Sequence, residues 1–152
     1  MLIHLEQLAT ELAAFRSKLI LVTGAPHTGK TALLSAFAGR VDANILHVGS
    51  ELGRRLAAIP QKQRHLQTGT LLRELADEHA KGDLLLMDNI ELLFDATLQL
   101  NPLDVLKHHA HSRRVVAVWP GESLGGRLTY ADMGHSEHRD YAKNGFVVMQ
   151  IQ

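Results

Sequence analysis

Gly24-Ala25-Pro26-His27-Thr28-Gly29-Lys30-Thr31 is a complete phosphate-binding P-loop, and its reading decides the fold. Upstream, Leu19-Ile20-Leu21-Val22 reads as a buried strand; downstream, Thr31-Ala32-Leu33-Leu34-Ser35-Ala36-Phe37 reads as a helix. A strand that turns through glycines into a helix N-terminus gathers backbone N–H groups around one point, where positive potential suits phosphate oxygens. Gly24 and Gly29 allow backbone angles and a close phosphate approach that a Cβ would hinder. Gly24, Ala25, Pro26, His27, Thr28, Gly29, Lys30, Thr31 and Ala32 are therefore expected to hold a nucleotide. Lys30 would reach the β- and γ-phosphates, and the Thr31 hydroxyl would ligate Mg²⁺. A glycine turn before a helix with a solvated lysine is the competing account, and the strand–turn–helix context weighs against it. His27 replaces a residue that is often glycine, and both phosphate contact and solvent exposure stay open for it.

Asp88 is the second carrier of chemistry. Leu84-Leu85-Leu86-Met87 is a continuous apolar run, as in a central parallel strand, and it stops at Asp88-Asn89. A carboxylate at such a strand tip, the Walker B position, holds Mg²⁺ beside a P-loop, whereas taken alone it reads as a turn residue. Thr31 and Asp88 are the expected metal-site pair.

The remaining elements follow from periodicity and punctuation. Leu5, Leu8, Leu12 and Phe15 have helical spacing, which predicts an amphipathic helix over 3–15 within a leading segment 1–17. Gly39 is the expected stop of the helix after the P-loop. A strand over 44–48 is followed by a short helix capped by Ser50, a polar connection over 60–69 and a helix over 71–80. A helix over 103–109 leads to a strand over 115–118, broken by Pro120. Residues 121–145 read as irregular, and 146–149 as a final strand. This alternation predicts one α/β domain over 1–152, a three-layer sandwich around a mainly parallel five-stranded sheet of order 5-1-4-3-2. A strand then lies between the P-loop strand and the Asp88 strand, as in the AAA+/RecA-like division of P-loop NTPases. The length leaves no room for a helical lid after the sheet.

Composition excludes several classes. No apolar run approaches the ~20 residues that cross a bilayer, and the N-terminus lacks a secretory pattern, so a cytoplasmic protein without membrane contact is expected. There is no cysteine, which excludes disulfides and thiolate chemistry. Sixteen basic residues balance sixteen acidic ones, so DNA contact is at most local or indirect. Arg54, Arg55, Lys62 and Arg64 form one basic stretch, better read as a solvated face. Ten histidines include His108, His109 and His111 and the pair His135 and His138; without Cys or an HExxH pattern, a polar helix end explains them better than zinc. Trp119 is read as a core anchor, against the alternative of an adenine or partner contact.

From residue 44 onward, Val48-Gly49-Ser50-Glu51-Leu52, then Leu71-Leu72-Arg73-Glu74-Leu75-Ala76, then the run ending in Asp88 resemble the order of elements in an AAA-type ATPase core. With Asp88-Asn89-Ile90-Glu91-Leu92-Leu93-Phe94-Asp95, Trp119-Pro120-Gly121-Glu122, Leu128-Thr129-Tyr130 and His135, the whole chain resembles the BrxF family. These are small P-loop proteins of BREX (bacteriophage exclusion) systems. The resemblance implies ATP and Mg²⁺ as cofactors and a role in an anti-phage defence complex, with other BREX-system proteins as partners.

The departures from an AAA-type pattern matter as much. Asn89 stands where such enzymes place the glutamate that polarises the attacking water, and an amide accepts no proton at neutral pH. Glu91, Glu51 or Asn89 itself would orient that water; for the two glutamates, ordinary first-turn helix carboxylates are the plainer account. An arginine supplied in trans by a homo-oligomer would complete the site, Arg127 before Arg139, with a solvated surface arginine as the alternative for each. The sensor strand ends in Trp119-Pro120 instead of a small polar residue. No Asn-Lys-x-Asp guanine signature is present, so adenine is the default. Two readings result: a weak Mg²⁺-dependent ATPase, or a nucleotide-gated scaffold without significant hydrolysis.

Overall fold

Long runs of β-branched and aliphatic residues form the centre of the protein. In the computed structural model all residues are described except 13, 15–17, 125–126, 131–138, 143–144 and 152. Five strands, β1 (Leu19–Thr23), β2 (Ile45–His47), β3 (Leu84–Asp88), β4 (Arg114–Val118) and β8 (Val147–Gln150), make one sheet of order β2-β3-β4-β1-β8. Every pairing in it is parallel. Counted within this sheet, the order is the expected 5-1-4-3-2, with β4 between the P-loop strand and the Asp88 strand.

Strand periodicity sorts the core onto two faces. Leu19, Leu21, Leu85, Met87, Val115 and Ala117 pack with Leu52, Leu72, Leu75 and Leu106 from α3 (Val48–Ala57), α4 (Arg64–His79) and α5 (Pro102–His109). Ile20, Val22, Leu84, Leu86, Val116 and Val118 pack with Leu5, Leu12, Leu34 and Phe37 from α1 (Leu2–Leu12) and α2 (Lys30–Val41). Each large aliphatic side chain so buried stabilises by ~1.5–3 kcal/mol. Exposed pairs such as Arg40–Glu6 contribute about 0–1 kcal/mol each. The apolar strands therefore decide the sandwich.

Several boundaries differ from expectation, each for a local reason. The leading helix ends at Leu12, and Phe15 lies outside the described residues. Gly39 does not stop α2; the helix runs to Val41 and closes on Asp42, left-handed at φ 55°, whose N–H donates to Ala38 O. Ser50 is no N-cap, because α3 already starts at Val48 and the Ser50 hydroxyl donates to His47 O. The connection over 60–69 is mostly helix: a 3-10 turn (Gln61–Gln63) leads into α4 at Arg64. Its polar composition conceals the apolar stripe, where Thr68 is buried with its hydroxyl donating to Arg64 O at 2.6 Å.

The largest correction concerns 121–145. This segment carries a second sheet, antiparallel, of order β5-β6-β7: β5 (Glu122–Leu124), β6 (Arg127–Tyr130) and β7 (Arg139–Ala142). Long-range contacts anchor it to the main sheet. Trp119 is fully buried, its indole N–H donates to Thr129 O at 2.9 Å, and its ring meets Phe94 edge-on at 5.2 Å. Phe94 also stacks on Tyr130 at 3.7 Å. Trp119 is thus a core anchor. Gly121 is required here, since a Cβ would stand 1.6 Å from Thr129 O.

Two glycine substitutions separate this steric demand from helix propensity. Gly121→Ala is expected to destabilise by at least ~1–3 kcal/mol through forced backbone movement. Gly39→Ala, with open space around it in α2, should stabilise by about 0.5–1 kcal/mol. Urea denaturation of both variants checks the two signs.

Candidate nucleotide-binding site

The P-loop sits between the end of β1 and the start of α2, at the C-terminal edge of the parallel sheet, where open α/β sheets bind ligands. Gly24 is needed for space: a Cβ would lie 2.7 Å from Thr28 Oγ1 and 2.9 Å from Ile151 O. Gly29 is needed for its backbone, at φ 91° with nothing within 4 Å. His27 is left-handed at φ 64° and exposed, which gives the physical reason that glycine suits this position. Thr28 Oγ1 donates to Ala25 O at 2.7 Å and pins the loop on itself. Ala25, Pro26, Gly29, Thr31 and Ala32 are exposed along the loop and the first turn of α2.

Lys30 is the electrostatic centre. Its ammonium donates to Gly24 O at 2.9 Å and to Trp119 O at 3.2 Å, joining the loop to the tip of β4. Burial pulls its proton affinity below the ordinary lysine range, and the carboxylates of Glu91, Glu122 and Asp88 oppose that shift. A partly desolvated cation with weak carbonyl partners gains from a polyanion.

Asp88 closes β3 and is 2% exposed. Its Oδ1 accepts the Asn89 N–H at 2.7 Å, while its buried Oδ2 has no hydrogen-bond partner among the described residues. A buried carboxylate oxygen left over in this way is costly unless a cation or water satisfies it. A hard carboxylate oxygen of this kind suits Mg²⁺, and Thr31, the other expected ligand, is exposed in the first turn of α2. The residues fit the metal.

The water-orienting candidates separate. Asn89 is left-handed at φ 54°, its amide oxygen lies 2.9 Å from His47 Nδ1, and its carbonyl accepts the Gly49 N–H. It ties the tips of β2 and β3 together. Glu51 pairs with Arg54 at 3.6 Å on α3. Glu91, on the 3-10 helix Ile90–Phe94, is exposed and lies in the field of Lys30. Sequence reasoning missed Glu122 as a site residue. Its signal was its place, three residues beyond the buried strand end at Trp119 and on the ligand-binding edge of the sheet.

Arg127 is exposed where β6 begins, its backbone paired with Leu124; the Arg139 backbone pairs with Tyr130 in β7. In the basic stretch, Arg54 pairs with Glu51, Arg55 pairs with Glu74 and Glu78, and Arg64 Nε donates to Ile59 O. His108 lies ring-edge to His109 and His111 at 6.1 and 6.2 Å. No cluster of three metal-binding side chains occurs among the described residues, and His135 and His138 lie outside them. No described helix is long and apolar enough to cross a membrane.

The chain matches no protein-family model and no curated protein. Among solved structures it is similar to a DNA replication initiation factor, at 18% identity and a TM-score of 0.50, over 99% of this chain and 45% of that one. It is also similar to the replication initiator DnaA bound to AMPPCP and single-stranded DNA, at 19% identity and a TM-score of 0.50, over 99% and 46%. At this identity the likeness establishes the fold alone: the chain has an α/β fold like that of these two proteins, around a mainly parallel five-stranded sheet. It spans less than half the length of the structures it matches.

Asp88 and Asp83 should respond oppositely to neutralisation. Asp88→Asn removes a buried carboxylate whose Oδ2 has no hydrogen-bond partner among the described residues, so the ligand-free protein should keep its stability or gain about 1 kcal/mol. Asp83→Asn breaks a two-point pair with Arg114, at 2.8 Å each, and should cost ~0.5–1 kcal/mol. Thermal denaturation in EDTA reads both; a loss at Asp88 like that at Asp83 would count against a metal-ready carboxylate.

Proposed function

We propose that this chain binds ATP with Mg²⁺ and hydrolyses it weakly, within a bacterial anti-phage defence assembly of the BREX type. The observation that carries nucleotide binding is the joint placement of a partly buried Lys30 ammonium over the P-loop and an unsatisfied Asp88 oxygen at a nearby strand tip. Loop amides from Gly24 to Thr31 and the Lys30 ammonium hold the phosphates, and Thr31 and Asp88 hold the metal. Bound Mg²⁺ offsets the charge on the phosphoryl oxygens. The bound AMPPCP of the DnaA structure, a protein of like fold, supports an adenine nucleotide here. The BREX setting is supported by the sequence resemblance in 88–95, 119–122 and 128–130, and places the protein in the cytoplasm beside other BREX-system proteins.

Catalysis is weak in this reading because no acid follows Asp88. Of the expected water-orienting groups, Glu91 has the best position in the field of Lys30. Glu51 and Asn89 are each engaged elsewhere, with Arg54 and His47. A second copy of the chain would supply Arg127 in trans and raise the rate by several powers of ten. DNA contact is indirect in this reading, since sixteen acidic residues balance sixteen basic ones over the chain.

The second reading, a nucleotide-gated scaffold without significant turnover, is favoured by the Asn89–His47 contact. That contact ties two strand tips together at the edge where nucleotide would bind.

Calorimetry with MgATP, and phosphate release with and without partner proteins and DNA, test these readings. Saturation at 100 times Kd should stabilise the protein by about 2.7 kcal/mol, a rise in Tm of roughly 5–10 °C. Lys30→Ala should abolish that rise. Phosphate release no greater than that of Lys30→Ala under every condition would leave only the scaffold.

A further inference from the structure

Away from the nucleotide site, a cavity of about 590 Å³ lies between α4 and α5. No P-loop residue borders it, nor does Asp88. One end, at His109, Ser112 and Arg113, lies where the chain enters β4, at the sheet edge opposite the P-loop. The volume falls within the ~300–1,000 Å³ usual for small-molecule sites.

Three residues in its wall cost stability without an internal reason. His109 is 9% exposed and borders the cavity, yet its ring nitrogens have no hydrogen-bond partner among the described residues. A buried polar group normally has one. Burial, Arg113 and His108 hold its proton affinity below the ordinary histidine range, so the ring is neutral at pH 7 and carries one N–H donor. Gly69 sits inside α4 and borders the same cavity, and a Cβ there would meet nothing within 4 Å. Glycine weakens a helix interior relative to alanine, and no neighbour in the chain needs the space it leaves. Leu66, also in the wall, is 70% exposed.

Charge narrows the ligand class. Arg73, Arg113 and Asp77 border the cavity and act on His109. Arg113 pairs with Asp77 at 2.6 Å, whereas Arg73 has no ion pair among the described residues. One positive charge is left over beside the His109 ring. Asp104 faces the same cavity from α5 and disfavours a second negative charge on the ligand. Leu72, Leu100 and Val105 supply an apolar wall.

We propose that this cavity is a second binding site, for a small monocarboxylate with an apolar body. The Arg73 guanidinium and the His109 N–H donate to the carboxylate, as charge-assisted hydrogen bonds favour. The apolar body fills the space over Gly69, against Leu72, Leu100 and Val105. This site is independent of the nucleotide reading.

The test titrates the full chain with octanoate, followed by calorimetry and by NMR of the histidine ring nitrogens. Octanol and octylammonium serve as uncharged and oppositely charged controls. Octanoate should bind saturably with a Kd below ~1 mM and shift the His109 signals, with both controls at least about tenfold weaker. Arg73→Gln, at an exposed side chain, should weaken octanoate by ~10-fold or more, the loss of one charge-assisted hydrogen bond. Gly69→Leu separates the site from the fold. It should melt no lower than wild type, because leucine is the better helix former, yet bind octanoate at least ~10-fold more weakly because its side chain occupies the cavity. Octanol or octylammonium binding as tightly as octanoate overturns the proposal. So does octanoate binding that is unchanged in either variant, or no saturable response below ~10 mM.

Discussion

A cation that is partly removed from water and leans on two carbonyl oxygens organises the ligand-binding edge of this protein. Lys30 reaches Gly24 O on its own loop and Trp119 O at the tip of β4. Neither partner neutralises its charge. Three carboxylates, Glu91, Glu122 and Asp88, approach from two different strand tips and oppose the effect of burial. They are nevertheless spread around the ammonium, and none forms an ion pair with it within 4 Å among the described residues. A triphosphate with its metal would satisfy both signs: phosphate oxygens for Lys30, a divalent ion for Asp88. That mutual need makes one ligand chemistry fit both the loop and the strand.

The main sheet was legible because its strands are continuous apolar runs, a pattern that only burial on two faces explains. Leu19 to Val22, Leu84 to Met87 and Val115 to Val118 needed no tertiary information. The P-loop glycines were equally legible, since Gly24 and Gly29 meet a spatial and a backbone demand that other residues cannot. The small sheet was not legible. Its strands hold three or four residues each, with Arg, Glu, Ser and Thr among them, and their pairing depends on Trp119 and Phe94, remote in sequence from their contacts. The start of α4 was hidden for another reason: Thr68 occupies a buried position that an apolar side chain usually marks.

The site divides along the same line. Lys30, Thr31 and Asp88 are local in sequence to motifs and could be named directly. Glu122 could not, because it enters the field of Lys30 from a hairpin that sequence periodicity does not reveal. Asn89 is instructive in the opposite way. Its identity alone signals a missing acid, while its left-handed backbone and its contact with His47 show a structural task, joining the ends of β2 and β3.

The most direct measurement of the central claim is electron paramagnetic resonance of Mn²⁺ in place of Mg²⁺, titrated with a non-hydrolysable ATP analogue. The account predicts tight, stoichiometric Mn²⁺ uptake that requires the analogue, weakens in Thr31→Ala and disappears in Asp88→Ala, with both variants still folded. Nucleotide-independent Mn²⁺ uptake, or undiminished uptake in Asp88→Ala, would contradict it.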